Sequence, residues 1–142
     1  MPRTDARGCD VGSFGGGQRA VDSAGGGEDV SCGFNAGDNA KAAALASPSG
    51  LVIVDEFAPH LWTGKSAFAT WSADFDKDAK AKGITEPMVT MDAPLVNTIS
   101  GDVAYLVCPM TYIYKQKGVP MREPARMAMV LRKEGAVWRF LS

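Results

Sequence analysis

The sequence predicts an α+β fold, a cone in which a curved antiparallel β-sheet wraps on N-terminal helices. Three observations carry this reading. The last third of the chain alternates apolar with polar residues between turns at Gly101, Gly118 and Gly135, as antiparallel strands do. Residues 65–82 instead place Phe68, Trp71 and Phe75 on one face at helical spacing. Ahead of them, the apolar run Leu51 to Val54 is rich in β-branched residues and reads as a short buried strand. Helix signals thus precede the main run of strands, which is the α+β pattern.

The chain has 142 residues, enough for one domain with a real core. With 15 basic and 16 acidic residues and no Lys/Arg-rich cluster, it lacks a nucleic-acid footprint. No apolar run approaches the roughly 20 residues that span a bilayer, so no membrane partner is expected. The N-terminus lacks the apolar segment of a signal peptide. Three cysteines, Cys9, Cys32 and Cys108, have no CxxC spacing, which argues against a disulfide framework and for a reducing cytoplasm. Cys108 falls inside a strand as a small core residue.

Residues 1–33 form a separate segment. Nine of these 33 are glycine and large apolar residues are scarce, so a flexible N-terminal tail is expected. Its GGGQ and GGGED runs follow no strand and precede no GK[ST], which removes the phosphate-loop reading. The domain is expected over residues 34–142. It opens with the FNAGD turn, in which Asp38 caps a short alanine-rich helix over residues 39–46. Ser47-Pro48-Ser49-Gly50 stops that helix before the strand at Leu51.

Asp55 and Glu56 stand where that strand runs out, and a loop with Pro59, His60, Trp62 and Gly64 leads to the helix over residues 65–82. The pairs Asp76–Lys80 and Asp78–Lys82 mark its wet side, and Gly83 is its C-cap. Residues 88–99 then form one strand, 103–116 a long one, 121–133 its return and 136–141 the last. A two-residue turn at Gly118-Val119 sets Thr111 opposite Arg126 and Met110 opposite Met127. One face then carries Leu106, Cys108, Met110, Tyr112, Met127, Met129 and Leu131. The other carries Tyr105, Val107, Thr111, Arg126, Ala128 and Val130. Neither is wholly polar, so helices cover one face and a second subunit the other, giving a homodimer through the sheet face.

The segments FNAGDNAKAAAL, IVDEFAPHLWTG, YKQKGVPMREPARM and LRKEGAVWRF resemble the nuclear transport factor 2-like superfamily, and within it the SnoaL-like branch. The resemblance covers about residues 34–142 and implies a cystatin-like cone with a pocket. The superfamily holds ketosteroid isomerases, polyketide cyclases and dehydratases alongside members of no known reaction, so fold does not fix chemistry. Asp55 lies nine residues before Gly64, the position of the strand-end base in ketosteroid isomerases. The tyrosine and protonated aspartate of their oxyanion hole have no counterpart: no Tyr precedes Tyr105, and residues 103–133 contain no Asp. Steroid isomerisation is therefore not expected. A further departure is the glycine-rich AVDSAGGGEDVSCG, where the family usually has an amphipathic first helix.

The expected function is binding of an apolar, oxygenated small molecule. In its catalytic form, isomerisation, cyclisation or dehydration, Asp55 is the base and His60 or Tyr112 the polarising donor. Trp62, Trp71, Met110, Tyr112 and Met127 would wall the pocket. Each has a plainer role open to it: loop capping for Asp55, a backbone bond for His60, core packing for the rest. A non-catalytic binding module or a dimeric association domain is the alternative. One histidine and scattered cysteines give no metal set, and no cofactor is expected.

Overall fold

A computed structural model describes residues 43–142. The expected tail over residues 1–33, the FNAGD turn, Cys9 and Cys32 lie outside the described residues. So does most of the expected helix over residues 39–46, of which Ala43 and Ala44 are helical.

The chain first forms a two-stranded antiparallel hairpin, β1 (Leu51–Val54) with β2 (Leu61–Gly64). Helix α1 (Ala67–Lys82) follows, and then β3 (Ile84–Met91), β4 (Val96–Ser100), β5 (Val103–Gln116), β6 (Val119–Glu134) and β7 (Val137–Phe140). The five-stranded sheet runs β3-β5-β6-β7, with β4 also pairing β5, and it is strongly curled. This is the α+β architecture the sequence predicts.

The hairpin departs from expectation in two ways. Residues 61–64 form a strand, because pairing with Leu51–Val54 satisfies the backbone groups of both segments. Nor is β1 buried throughout: Leu51 is, but Val54 is 76% exposed, because β1 belongs to the hairpin and not to the main sheet.

Helix α1 starts after Ser66 and ends at Gly83, whose left-handed backbone (φ 68°) lets its N–H reach the carbonyls of Ala79 and Lys80. Asp78 and Lys82 close an i,i+4 pair at 2.7 Å. Only Ala67 and Ala79 of the helix are buried; Phe68, Trp71 and Phe75 are half-buried along one side.

The single strand expected over residues 88–99 is two. β3 begins at Ile84, directly after the helix cap, and pairs with the second half of β5; β4 pairs with the first half. Between them Asp92 donates to the Pro109 carbonyl at 2.9 Å and Leu95 to the Val107 carbonyl at 2.8 Å. Pro109 has no N–H to offer, and it sits at this break, where no ladder partner requires one.

The β5–β6 turn is Lys117-Gly118, with φ of 50° and 83°. Positive φ at both central residues matches the twist of a two-residue hairpin. The register therefore moves by two residues from the expected one: Thr111 faces Pro124, Met110 faces Ala125 and Cys108 faces Met127. A shift of two leaves every side chain on its predicted face. Ala104, Leu106 and Leu131 are fully buried on the inner face. Cys108, Met129, Trp138, Phe140 and the hairpin residues Leu51, Phe57 and Trp62 complete the core. Residues 45–47 seal the far edge: Phe140 donates to the Leu45 carbonyl and Ser47 to that of Phe140, while the Ser47 hydroxyl bonds Glu134.

Candidate functional site

Two indole–carboxylate bonds tie the hairpin to α1. Trp62 of β2 donates its Nε1–H to Asp74 at 2.8 Å, and Trp71 of α1 donates to Asp55 Oδ2 at 2.9 Å. The other Asp55 oxygen accepts the Glu56 backbone N–H at 2.7 Å. Each Asp55 oxygen thus holds one donor and keeps lone-pair capacity for another. The carboxylate is fixed at the end of β1, half-buried against the aromatic face of the helix.

His60 stands elsewhere. Its side chain is exposed, its backbone is left-handed (φ 73°), and its Nδ1 donates to the Asp55 carbonyl at 3.2 Å. The Asp55 N–H returns a bond to the His60 carbonyl at 3.2 Å. The histidine closes the loop through Asp55's backbone and makes no hydrogen bond to its carboxylate. Trp62 is 4% exposed and packs on Phe57 at 5.0 Å between ring centroids, within the core.

Aromatic rings continue from Trp71 across the interior. Trp71 stacks on Phe75 at 5.6 Å, Phe75 meets Tyr112 edge-on at 6.3 Å, and Tyr112 lies 4.6 Å from Tyr114. The Tyr114 hydroxyl donates to Glu123 across the hairpin. That bond is the first cause raising the Tyr114 phenol above its usual range. The Tyr112 hydroxyl oxygen is buried and has no hydrogen-bond partner among the described residues. Burial, then the neighbouring Tyr114, Glu123, Asp55 and Asp78, pushes its pKa up to about 12, so it is a neutral O–H donor at ordinary pH. A buried hydroxyl left unpaired costs about 1–3 kcal/mol, which a ligand or water atom would recover.

Asp55, Trp71 and Tyr112 therefore lie along one series of contacts, with Phe75 between the rings. Met127 packs against the core beside it, partly buried. Met110 contributes to a hollow of about 590 Å³ beside the β3–β4 break, together with Asp92, Leu95, Thr111 and Arg126. A smaller hollow of about 260 Å³ lies between β2 and α1, lined by Leu61, Trp62, Thr70 and Asp74. Glu123 and Asp74 were not singled out by sequence. Glu123 was recoverable only through strand register; Asp74 lies on the helix, twelve residues from its indole partner.

Among the described residues no helix is long and apolar enough to cross a membrane, and no three His, Cys, Asp or Glu side chains are grouped to hold a metal.

Residues 33–142 match the SnoaL-like domain family. No curated protein sequence matches the chain. Solved structures agree in fold at low identity. An NTF2-like protein with a cystatin-like fold from Novosphingobium aromaticivorans is 18% identical, with TM-score 0.66 over 84% of this chain and 75% of that one. A ketosteroid isomerase-like protein from Erwinia carotovora atroseptica is 15% identical, with TM-score 0.63 over 89% and 93%. A candidate calcium/calmodulin-dependent protein kinase II association domain from Xanthomonas campestris is 16% identical, with TM-score 0.63 over 80% and 76%.

Proposed function

The chain belongs to the SnoaL-like domain family, and from that premise we propose that its cone interior binds a small, largely apolar molecule through one polar head group. The observation that carries this reading is the buried, unpartnered Tyr112 hydroxyl on the series of contacts that leads to the fixed Asp55 carboxylate. Tyr112 offers the head group a hydrogen bond, Asp55 offers a second, and Trp71 and Phe75 supply apolar wall. The catalytic form of the same reading is proton transfer, as in an isomerase, cyclase or dehydratase. Asp55 accepts the proton and Tyr112 donates to the oxygen on which charge develops. His60, exposed and bound to backbone, has no part in it.

The test is a thermal-shift screen of the wild type, Asp55→Asn and Tyr112→Phe against apolar ketones, alcohols and amines. A ligand at 100 times its dissociation constant raises stability by about 2.7 kcal/mol. Binding that weakens about tenfold in Tyr112→Phe supports the site. Product formed by wild type and reduced about 100-fold in Asp55→Asn assigns proton transfer. Binding without product leaves a carrier or sensor. No ligand response at all removes the reading.

A second reading concerns the outer sheet face, where Val96, Val103 and Tyr105 are 37%, 39% and 44% exposed. Tyr105 pairs with Val130, and Val107 with both Val96 and Ala128, so the exposed apolar groups are contiguous. We propose that this face joins two copies into a homodimer, in a cytoplasmic setting.

A further inference from the structure

Charge is segregated across the curled sheet. From residue 121 to residue 131, β6 turns Arg122 and Arg126 to the outer side and Met121, Glu123, Ala125, Met127, Met129 and Leu131 inward. Glu123 is the one charged side chain in that inward set. The inward positions of β5, from Ala104 to Gln116, carry no charge. The hairpin loop adds Asp55 and α1 adds Asp78, whose charge Lys82 offsets at 2.7 Å. Among the described residues no lysine or arginine pairs with Asp55 or Glu123. After burial and the neighbouring Tyr114, the carboxylates of Glu123, Asp55 and Asp78 raise the Tyr112 phenol.

Between these two carboxylates runs the aromatic series Trp71, Phe75, Tyr112 and Tyr114, with successive centroids 4.6–6.3 Å apart. Trp71 holds Asp55 at one end and Tyr114 holds Glu123 at the other. Phe68, Trp71, Phe75 and Tyr112 are all half-buried. The negative quadrupole of the ring faces and two carboxylates without a lysine or arginine partner among the described residues attract a cation, while a carboxylate ligand would meet like charge.

We infer that the head group this interior takes is a protonated amine on an apolar body. The ammonium N–H donates to the Tyr112 hydroxyl or the Asp55 carboxylate, and its alkyl substituents lie on the aromatic rings. This rests on the binding reading above and replaces the oxygenated head group expected from sequence with a cationic one. Lys133 follows Leu131 on the inward side of β6 but pairs across from Trp138, and among the described residues no lysine or arginine bonds either carboxylate, so a bound cation would balance their charge.

Three compounds with one phenethyl body separate the possibilities: N,N-dimethyl-2-phenylethylamine, 4-phenyl-2-butanone and 3-phenylpropanoate. Each is titrated into the full chain at low salt, with tryptophan fluorescence and thermal shift as readouts. The ammonium compound is expected to bind about tenfold more tightly than the ketone, and the carboxylate most weakly. Asp55→Asn and the rim variant Glu123→Gln should each erode that preference, and added salt should reduce it. A ketone that binds as well as the amine overturns the cation inference and leaves the binding reading standing. Preference for the carboxylate does the same. An amine preference untouched by either variant places the cation elsewhere and overturns the inference. If none of the three binds, both readings fall together.

Discussion

Near β7, the inner face of the β5–β6 hairpin is sealed: Ala104, Leu106 and Leu131 are fully buried under Trp138, Phe140 and the β1–β2 hairpin. Toward the Lys117-Gly118 turn the same alternation continues, but Met110, Tyr112 and Met127 keep part of their surface and polar atoms appear. The two halves differ in what lies over them. The sealed half is covered by large apolar side chains that interdigitate. The other faces the side of α1 that carries Phe68, Trp71 and Phe75, rings that stack with one another and leave a hydroxyl without a partner. One half is closed by apolar packing; the other keeps part of its surface and an unpartnered hydroxyl.

This contrast makes opposite predictions for conservative trimming. In the sealed half, Leu106→Ala should destabilise the protein by about 3 kcal/mol, read from denaturant unfolding, because transfer and cavity terms add. A loss below about 1 kcal/mol would show that this half is loosely packed. In the open half, Tyr112→Phe should raise stability by about 1 kcal/mol, because it removes a buried hydroxyl that bonds nothing. It should weaken ligand binding at the same time. A destabilised Tyr112→Phe would mean that the hydroxyl has a partner in solution.

The open half also sets the alkaline limit. The Tyr112 phenol is raised from 10.0 to about 12 in the folded chain. The unfolded chain ionises first, so the stability tied to the neutral phenol is complete below pH 10 and is lost as pH rises toward 12. Unfolding midpoints measured across that window should fall less steeply in Tyr112→Phe than in wild type, and parallel curves would refute the assignment. The smallest stability effect belongs to the outer face. Tyr105→Glu should change unfolding of the isolated chain by no more than about 0.5 kcal/mol. It should nevertheless turn a two-chain particle into single chains by light scattering. A single-chain mass for the unaltered protein would remove the association reading.

Much of the fold was legible in the residues. Gly83 stops α1 where a left-handed cap was expected, and the β5 and β6 faces are sorted as period two predicts. Asp55 was legible as a strand-end carboxylate, and Trp71 as part of an aromatic helix face. Their mutual bond was not, because sixteen residues separate them and only the packing of α1 on the hairpin brings the indole to the carboxylate. The β2 strand was missed because four residues, LWTG, carry too little pattern to distinguish a strand from a loop. The split between β3 and β4 was missed because Asp92 and Leu95 bond the carbonyls of Pro109 and Val107 on another strand, and that meeting depends on register.

What the sequence by itself determined is what local physics encodes. Alternation assigns residues to faces, helical spacing aligns the aromatic rings of α1, and glycine marks the chain reversals. Tertiary structure alone decided which inward residues are sealed, that Tyr112 keeps an unanswered hydroxyl, and that Asp55 and Glu123 stand at opposite ends of one aromatic series. These are properties of distance between segments far apart in the chain, and no periodicity carries them. The Lys117-Gly118 turn illustrates the boundary: a one-residue error in its position shifted the register by two, which left both faces intact yet changed every cross-strand partner.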